Sequence, residues 1–137
     1  MMMLAINHDA KGITYWIYPS TNETNDGSAT LGKALQVSPA IDFLFGTETI
    51  KGLDVTGETL IDASAWVLGS QILVGIINGQ YGDSGDSVTI DLPQSVTSIS
   101  RSVYGDSTGW AVDGSKLTKS RLKGLEVDIL LLNVGLG

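Results

Sequence analysis

Two apolar runs meeting at Gly69-Ser70 constrain the fold more than any other part of the chain: Thr59 to Asn78, TLIDASAWVLGSQILVGIIN. In the first, Ile61, Ala63, Ala65 and Val67 alternate with Leu60, Asp62, Ser64 and Trp66, the period-two pattern of a strand with one well-buried face. The second, Ile72 to Ile77, is apolar at nearly every position and reads as a strand covered on both faces. Gly69-Ser70 supplies the positive φ of a tight hairpin, so the two strands are expected to pair antiparallel. This hairpin predicts the centre of a β-sandwich, with the remaining strands laid around it.

A chain of 137 residues is about one domain and buries roughly two thirds of its unfolded surface on folding. It contains no cysteine and a single histidine, His8. A disulfide framework, a thiolate nucleophile and a cysteine-based zinc site are therefore excluded, and little remains for an imidazole-rich one. No cofactor and no metal site are expected. Eight basic against fifteen acidic residues, net −7, argue against nucleic acid and against an anionic membrane, because both require a basic face. The acidic surplus predicts a solvated surface. Basic side chains are scattered apart from Lys116, Lys119, Arg121 and Lys123. The apolar runs fall short of the roughly 20 residues of a membrane span. The start, MMMLAINHDAKG, lacks the basic and apolar regions of a signal peptide. Met1-Met2-Met3 before a segment that looks internal suggests a truncation, so secretion is expected only as part of a longer parent.

The chain changes character near residue 50. Ile13 to Tyr18 is a β-branched and aromatic run ending at Pro19, as a strand should. Ser20 to Ser28 has loop composition, with Asn22-Glu23-Thr24 a formal glycosylation acceptor. From Thr30, a candidate N-cap, Leu31, Ala34 and Leu35 sit at helical spacing. Pro39, with Ser38 as N-cap, opens a second short helix with Ile41, Phe43, Leu44 and Phe45 on its apolar face and Gly46 as its stop; one kinked helix fits equally well. Beyond Gly46 the pattern is all β: Leu53–Thr56, Thr59–Leu68, Gln71–Asn78, Ser87–Leu92, Val96–Tyr104, Trp110–Val112, Lys116–Thr118 and Leu125–Val134, punctuated by glycine and Asp-Gly turns. The fold class is thus mainly β, an antiparallel β-sandwich of about eight strands with an N-terminal strand and one or two short helices. Residues 1–50 form a strand-loop-helix segment and residues 51–137 the sandwich.

The segments AINHDAKGITYWIYPS and TLGKALQVSPAIDFLFG, followed by the strand series through VDILLLNV, resemble the carboxyl-terminal region of a fungal-type (β/α)8-barrel glycoside hydrolase. In that pattern the first segment is the last barrel strand, a helix follows, and an antiparallel sandwich is appended. Asp9 stands where the pattern usually has glycine, which puts the local turn in question. The resemblance implies that the catalytic carboxylates of a glycosidase, a pair about 5 Å apart or wider, lie on earlier strands that this chain does not contain. It therefore implies no enzyme activity. It also gives Trp16, and Tyr18 beside it, a role as an aromatic floor beneath a sugar, against the alternative that these rings cover what core remains.

Four aromatics fall in the sandwich half, Trp66, Tyr81, Tyr104 and Trp110. Tyr104-Gly105-Asp106 followed by Gly109-Trp110 resembles a hairpin of appended glycosidase sandwiches, whose aromatic generally packs. One reading is a sugar-stacking platform, in which Asp106 or Asn78 accepts hydroxyl hydrogen bonds; the other is core or rim packing. The tentative carbohydrate site is Trp16, Tyr18, Trp66, Tyr81, Tyr104, Asp106 and Trp110. Gly82-Asp83-Ser84-Gly85-Asp86 resembles a glycine-framed serine, but His8 is the sole candidate base and no pattern orients it. The same loop offers Asp83 and Asp86 to calcium without EF-hand spacing, so a solvated hairpin loop is the simpler reading.

Three functions follow as expectations. The first is a non-catalytic accessory sandwich related to glycoside hydrolases, structural or carbohydrate-associated. The second is a small stand-alone lectin-like or immunomodulatory protein with glycans as partners. The third is a self-assembling protein, because a strand at Gly12 to Tyr18 without its barrel neighbours has open edges and is expected to make a homodimer.

Overall fold

In a computed structural model of the protein, the described residues are 2–8, 31, 33–57, 60–83, 87–105 and 107–135. Two four-stranded antiparallel sheets face one another. One has the order β2 (Ile61–Leu68), β3 (Gln71–Asn78), β8 (Val127–Val134), β5 (Val96–Tyr104). The other has the order β1 (Val55–Thr56), β4 (Val88–Asp91), β7 (Lys116–Lys119), β6 (Ala111–Asp113). The β-sandwich expected from the alternating runs is what forms, and each of the eight strands expected after Gly46 has its counterpart within a few residues.

The hairpin that constrains the sequence lies inside the first sheet. Leu68 pairs with Gln71 across Gly69-Ser70, and Gly69 has φ of 62°. From there the register runs unbroken to Ile61 opposite Asn78. β3 is covered on both sides, as its apolar run requires. Ile72, Val74 and Ile76 point into the sandwich with Ala63, Ala65, Val88, Ile90, Leu117, Leu130 and Leu132. Leu73 and Ile77 point the other way, into a second core with Trp66, Ile129 and Leu131. That outer core is roofed by α1 (Met2–Asn7) and α2 (Ala40–Gly46), through Met3, Ile6, Ala40, Phe43 and Leu44, with Leu31 and Leu35 alongside. The molecule is therefore layered helix, sheet, sheet. β5 forms one edge of the first sheet and is broken by register shifts after Val96, Ile99 and Ser102, a device that discourages edge-to-edge pairing.

Three local expectations need correction. Residues 2–7 are helical, although the family resemblance makes the segment beginning at Ala5 a barrel strand; Met3, Ile6 and Asn7 are buried together on one face, the spacing of a single helical side. The helix after Ser38 has Pro39, not Ser38, as its N-cap, and no side chain caps it. On that helix Phe45 is 64% exposed, because so short a helix offers the sheet only one side, and Ala40, Phe43 and Leu44 occupy it. Gly12 to Tyr18, with Trp16, Tyr18 and the dimerisation expected there, lies outside the described residues, as do Asp86 and Asp106.

Candidate functional site

The aromatic residues separate into three environments. Trp66 is fully buried, 0% exposed, on the helix side of β2. Its indole N–H donates to Thr49 Oγ1 at 2.8 Å. With its ring enclosed and its one donor used, it presents no face to a ligand, which corrects its place in the expected sugar site. Trp110 is buried inside the sandwich and gives its N–H to Asp128 Oδ2 at 2.9 Å. This ring too is packing. Tyr104, opposite Ile129 in the register, is half-buried against the helix-side core. Of the four aromatics expected in the sandwich half, Tyr81 alone stands in water, 92% exposed.

Asn78 is likewise no free acceptor. Its amide nitrogen donates to the carbonyls of Gly82, Leu122 and Lys123 at 3.2, 3.4 and 3.0 Å, and its oxygen accepts the Gln80 N–H at 3.2 Å. Buried at the end of β3, it ties the loop 79–83 to the turn 122–126. The two segments are joined further by Leu125 N–H to Gln80 O at 2.9 Å and Gly124 N–H to Asp83 Oδ1 at 3.0 Å. Gly124 is needed there, since a Cβ would collide with the Tyr81 carbonyl. Asp83 therefore serves the loop itself.

Beside this junction opens a cleft of about 370 Å³ lined by Gly105, Lys119, Lys123, Gly124, Glu126, Val127 and Asp128. Its floor is an ionic cluster on the rim of the sandwich core. Lys119 Nζ lies 2.7 Å from Glu126 Oε2 and 3.6 Å from Asp128 Oδ2, and 5.6 Å from the centroid of the Trp110 ring. Asp128 is 1% exposed, and a Cβ on Gly105 would collide with its carboxylate. Burial works against the Lys119 charge, but the hydrogen bond to Glu126 and the charges of Asp128 and Glu126 outweigh it and hold its pKa above the usual lysine value. Burial likewise opposes ionisation of Glu126, yet its side-chain interaction with Asp128, the hydrogen bonds from Lys119 and the Lys123 N–H, and the Lys119 charge hold its pKa below the usual value. Glu126 and Asp128 thus both face one ammonium, that of Lys119.

Of the expected residues, the structure brings Tyr81, Trp110 and, through the neighbouring Gly105, the Tyr104 hairpin to one end of the sandwich. It leaves Trp66 enclosed in the helix-side core. The charged residues of the cleft were not singled out as a site in the sequence; the signal was the one run of basic residues, Lys116 to Lys123, followed at once by Glu126 and Asp128. His8 sits on the surface, with Nε2 3.1 Å from Asp62 Oδ1. Among the described residues no three acidic or imidazole groups gather as a metal site would require, and no helix is long and apolar enough to cross a membrane.

No family model matches the chain, and no curated protein sequence matches it. Among solved structures, the fold is similar to part of a noncanonic maltogenic α-amylase, AmyB, from Thermotoga neapolitana. The match has a TM-score of 0.62 at 16% identity and covers 94% of this chain and 32% of that one. The chain spans about a third of the enzyme's length. At this identity the likeness is one of fold, and it is to a region of a glycoside hydrolase.

Proposed function

We propose that the chain is a non-catalytic accessory β-sandwich of the glycoside hydrolase type, associated with carbohydrate. The observation that carries this reading is the match of nearly the whole chain to one third of an amylase, the proportion of an appended domain and not of a catalytic barrel. The chemistry of the cleft supports it. A glycosidase needs one carboxyl group that stays protonated near neutrality to protonate the leaving oxygen. Glu126 is instead held below the ordinary carboxylate range, and Lys119 occupies the space beside it. The lectin-like alternative draws on Tyr81, whose exposed ring suits a glycan-binding surface, and it differs from the first reading chiefly in whether a catalytic partner exists.

The test is turnover. Purified protein is expected to release no product from starch or from a panel of aryl α- and β-glycosides. Hydrolysis that disappears on Glu126→Gln would overturn the non-catalytic reading.

A further inference from the structure

We propose that the peptide Asn78-Gly79 is a site of spontaneous covalent modification, deamidation of the asparagine, which the fold holds in check by closing the loop 79–83 onto the turn 122–126. It is the one Asn-Gly pair in the sequence. Asparagine is a thermolabile side chain, and the reaction is fastest before glycine, which has no Cβ to shield its own amide nitrogen. That nitrogen attacks Asn78 Cγ and loses its proton; the Cγ–Nδ2 bond breaks and ammonia leaves. Water then opens the resulting cyclic imide at either carbonyl carbon, leaving aspartate if the bond from Cγ is cut and isoaspartate if the main-chain bond is cut. One water is consumed and one ammonia released, and no other reactant takes part.

The end of β3 occupies every group that this reaction needs. The Gly79 N–H, which must give up its proton, donates to the Leu60 carbonyl at 2.8 Å. The amide that must leave is held by the carbonyls of Gly82, Leu122 and Lys123, and its oxygen by the Gln80 N–H. Asn78 is 0% exposed, and its main-chain N–H donates to the Glu126 carbonyl at 3.0 Å. For Cγ to close on the Gly79 nitrogen the side chain has to leave the carbonyls of the turn, which parts the turn from the loop. Conversion therefore proceeds from a locally opened state, and the population of that state sets its rate. The product does not reseat. Aspartate puts a carboxylate, which only accepts, against three carbonyl oxygens in a buried site. Isoaspartate adds a methylene to the main chain where Asn78 stands opposite Ile61. Each conversion leaves the junction open, so the lifetime of this end of the sandwich is set by a rate and not by an equilibrium.

The experiment incubates the protein in mildly alkaline buffer, native and unfolded in guanidinium chloride, and follows the peptide that contains residues 78 and 79 by mass spectrometry, with aspartate and isoaspartate separated by chromatography. Asn133, which precedes Val134, is the internal reference. In the unfolded chain Asn78 is expected to convert much faster than Asn133, and in the native protein at least about tenfold more slowly than in the unfolded chain. Asp83→Ala removes the exposed carboxylate that receives the Gly124 N–H and so loosens the junction without touching the core. It is expected to raise the native rate about fivefold, the worth of one hydrogen bond, and to leave the unfolded rate unchanged. Asn78→Asp installs the product directly and is expected to lower the midpoint of urea denaturation. Equal rates in the native and unfolded protein, a native rate in Asp83→Ala no faster than that of the wild type, or an Asn78→Asp protein as stable as the wild type would each overturn the proposal.

Discussion

The indole N–H of Trp110 donates to a carboxylate oxygen of Asp128 at 2.9 Å, joining the turn before β6 to the first residues of β8 inside the sandwich. The same carboxylate faces Lys119, and Lys119 stands over the Trp110 ring. One ring therefore fills the end of the core, satisfies a buried acid and receives a cation. Trp110→Phe keeps most of the volume but removes the donor. It is expected to destabilise the fold by about 1–3 kcal/mol, the cost of leaving a buried polar atom short of a partner. Trp110→Ala adds a cavity and is expected to cost about 3–5 kcal/mol. Urea denaturation followed by far-UV circular dichroism reads both. Equal stabilities for the wild type and Trp110→Phe would show that the hydrogen bond contributes nothing net.

The ionic cluster fixes a pH dependence with two limbs. Glu126 is lowered from 4.5, so its contribution to stability is present above that value and is lost as pH falls through the lower, folded pKa. Lys119 is raised from 10.5, so its contribution is present below that value and is lost as pH rises through the higher, folded pKa. Stability should be level between the two and fall on either side. Glu126→Gln removes the acid limb due to this group and weakens the alkaline one, because Lys119 then has only Asp128. Denaturation midpoints measured across the pH range should show a smaller acid-side loss in the variant; an unchanged acid limb would contradict the assignment.

The sheets were legible in the sequence because alternation and turn chemistry are local. Gly69-Ser70 sets the hairpin, and the continuous run of Ile72 to Ile77 announces two covered faces. What covers the outer face was not legible. Ser64 and Trp66 alternate with the inner residues as a wet face would, yet both are buried, because α1 and α2 descend on that side from far along the chain. The cleft was hidden for a similar reason. Lys119 stood out only as one of a group of basic residues and Glu126 and Asp128 not at all, and only the fold brings the end of β7 and the start of β8 together as the floor of a cleft. Tyr81 was legible as a candidate, but nothing in the sequence separated it from Trp66.

The seat of α1 on the sheet depends on one amide. Asn7 Nδ2 donates to Asp62 Oδ2 at 2.9 Å and to the Gly75 carbonyl at 3.1 Å, and Ser64 Oγ donates to the Asn7 carbonyl at 2.7 Å. Asn7 Oδ1 is buried with no hydrogen-bond partner among the described residues. Asn7→Leu loses two donors together with that unsatisfied oxygen and should cost about 1–3 kcal/mol. Asn7→Asp instead turns a carboxylate towards Asp62 and a carbonyl, and should cost more than Asn7→Leu at neutral pH, with part of the loss recovered on acidification as the new carboxyl protonates. Thermal melts of the two variants at neutral and acidic pH test the order; an Asn7→Asp protein as stable as Asn7→Leu at neutral pH would show that the seat is open to water.

Gly75, between Ser64 and Ile129 in the register, is where the helix comes closest to the sheet. A Cβ there would collide with Met3 Cε, stand 2.7 Å from Asn7 Oδ1 and touch Trp66 Cζ3 at 3.4 Å. The backbone of a β-strand tolerates alanine well, so the penalty of Gly75→Ala is one of overpacking, about 1–3 kcal/mol. Relief must come from Met3, the flexible member of the three, but Met3 is itself buried and can give way only if α1 lifts. Trp66 lies beneath the same helix, and its fluorescence should move to longer wavelength as water reaches the ring. Shortening Met3 creates the missing room, so Met3→Ala combined with Gly75→Ala is expected to be more stable than the sum of the two single losses predicts, the signature of residues in direct contact. Strict additivity in that cycle would mean that α1 does not rest on β3 through these atoms.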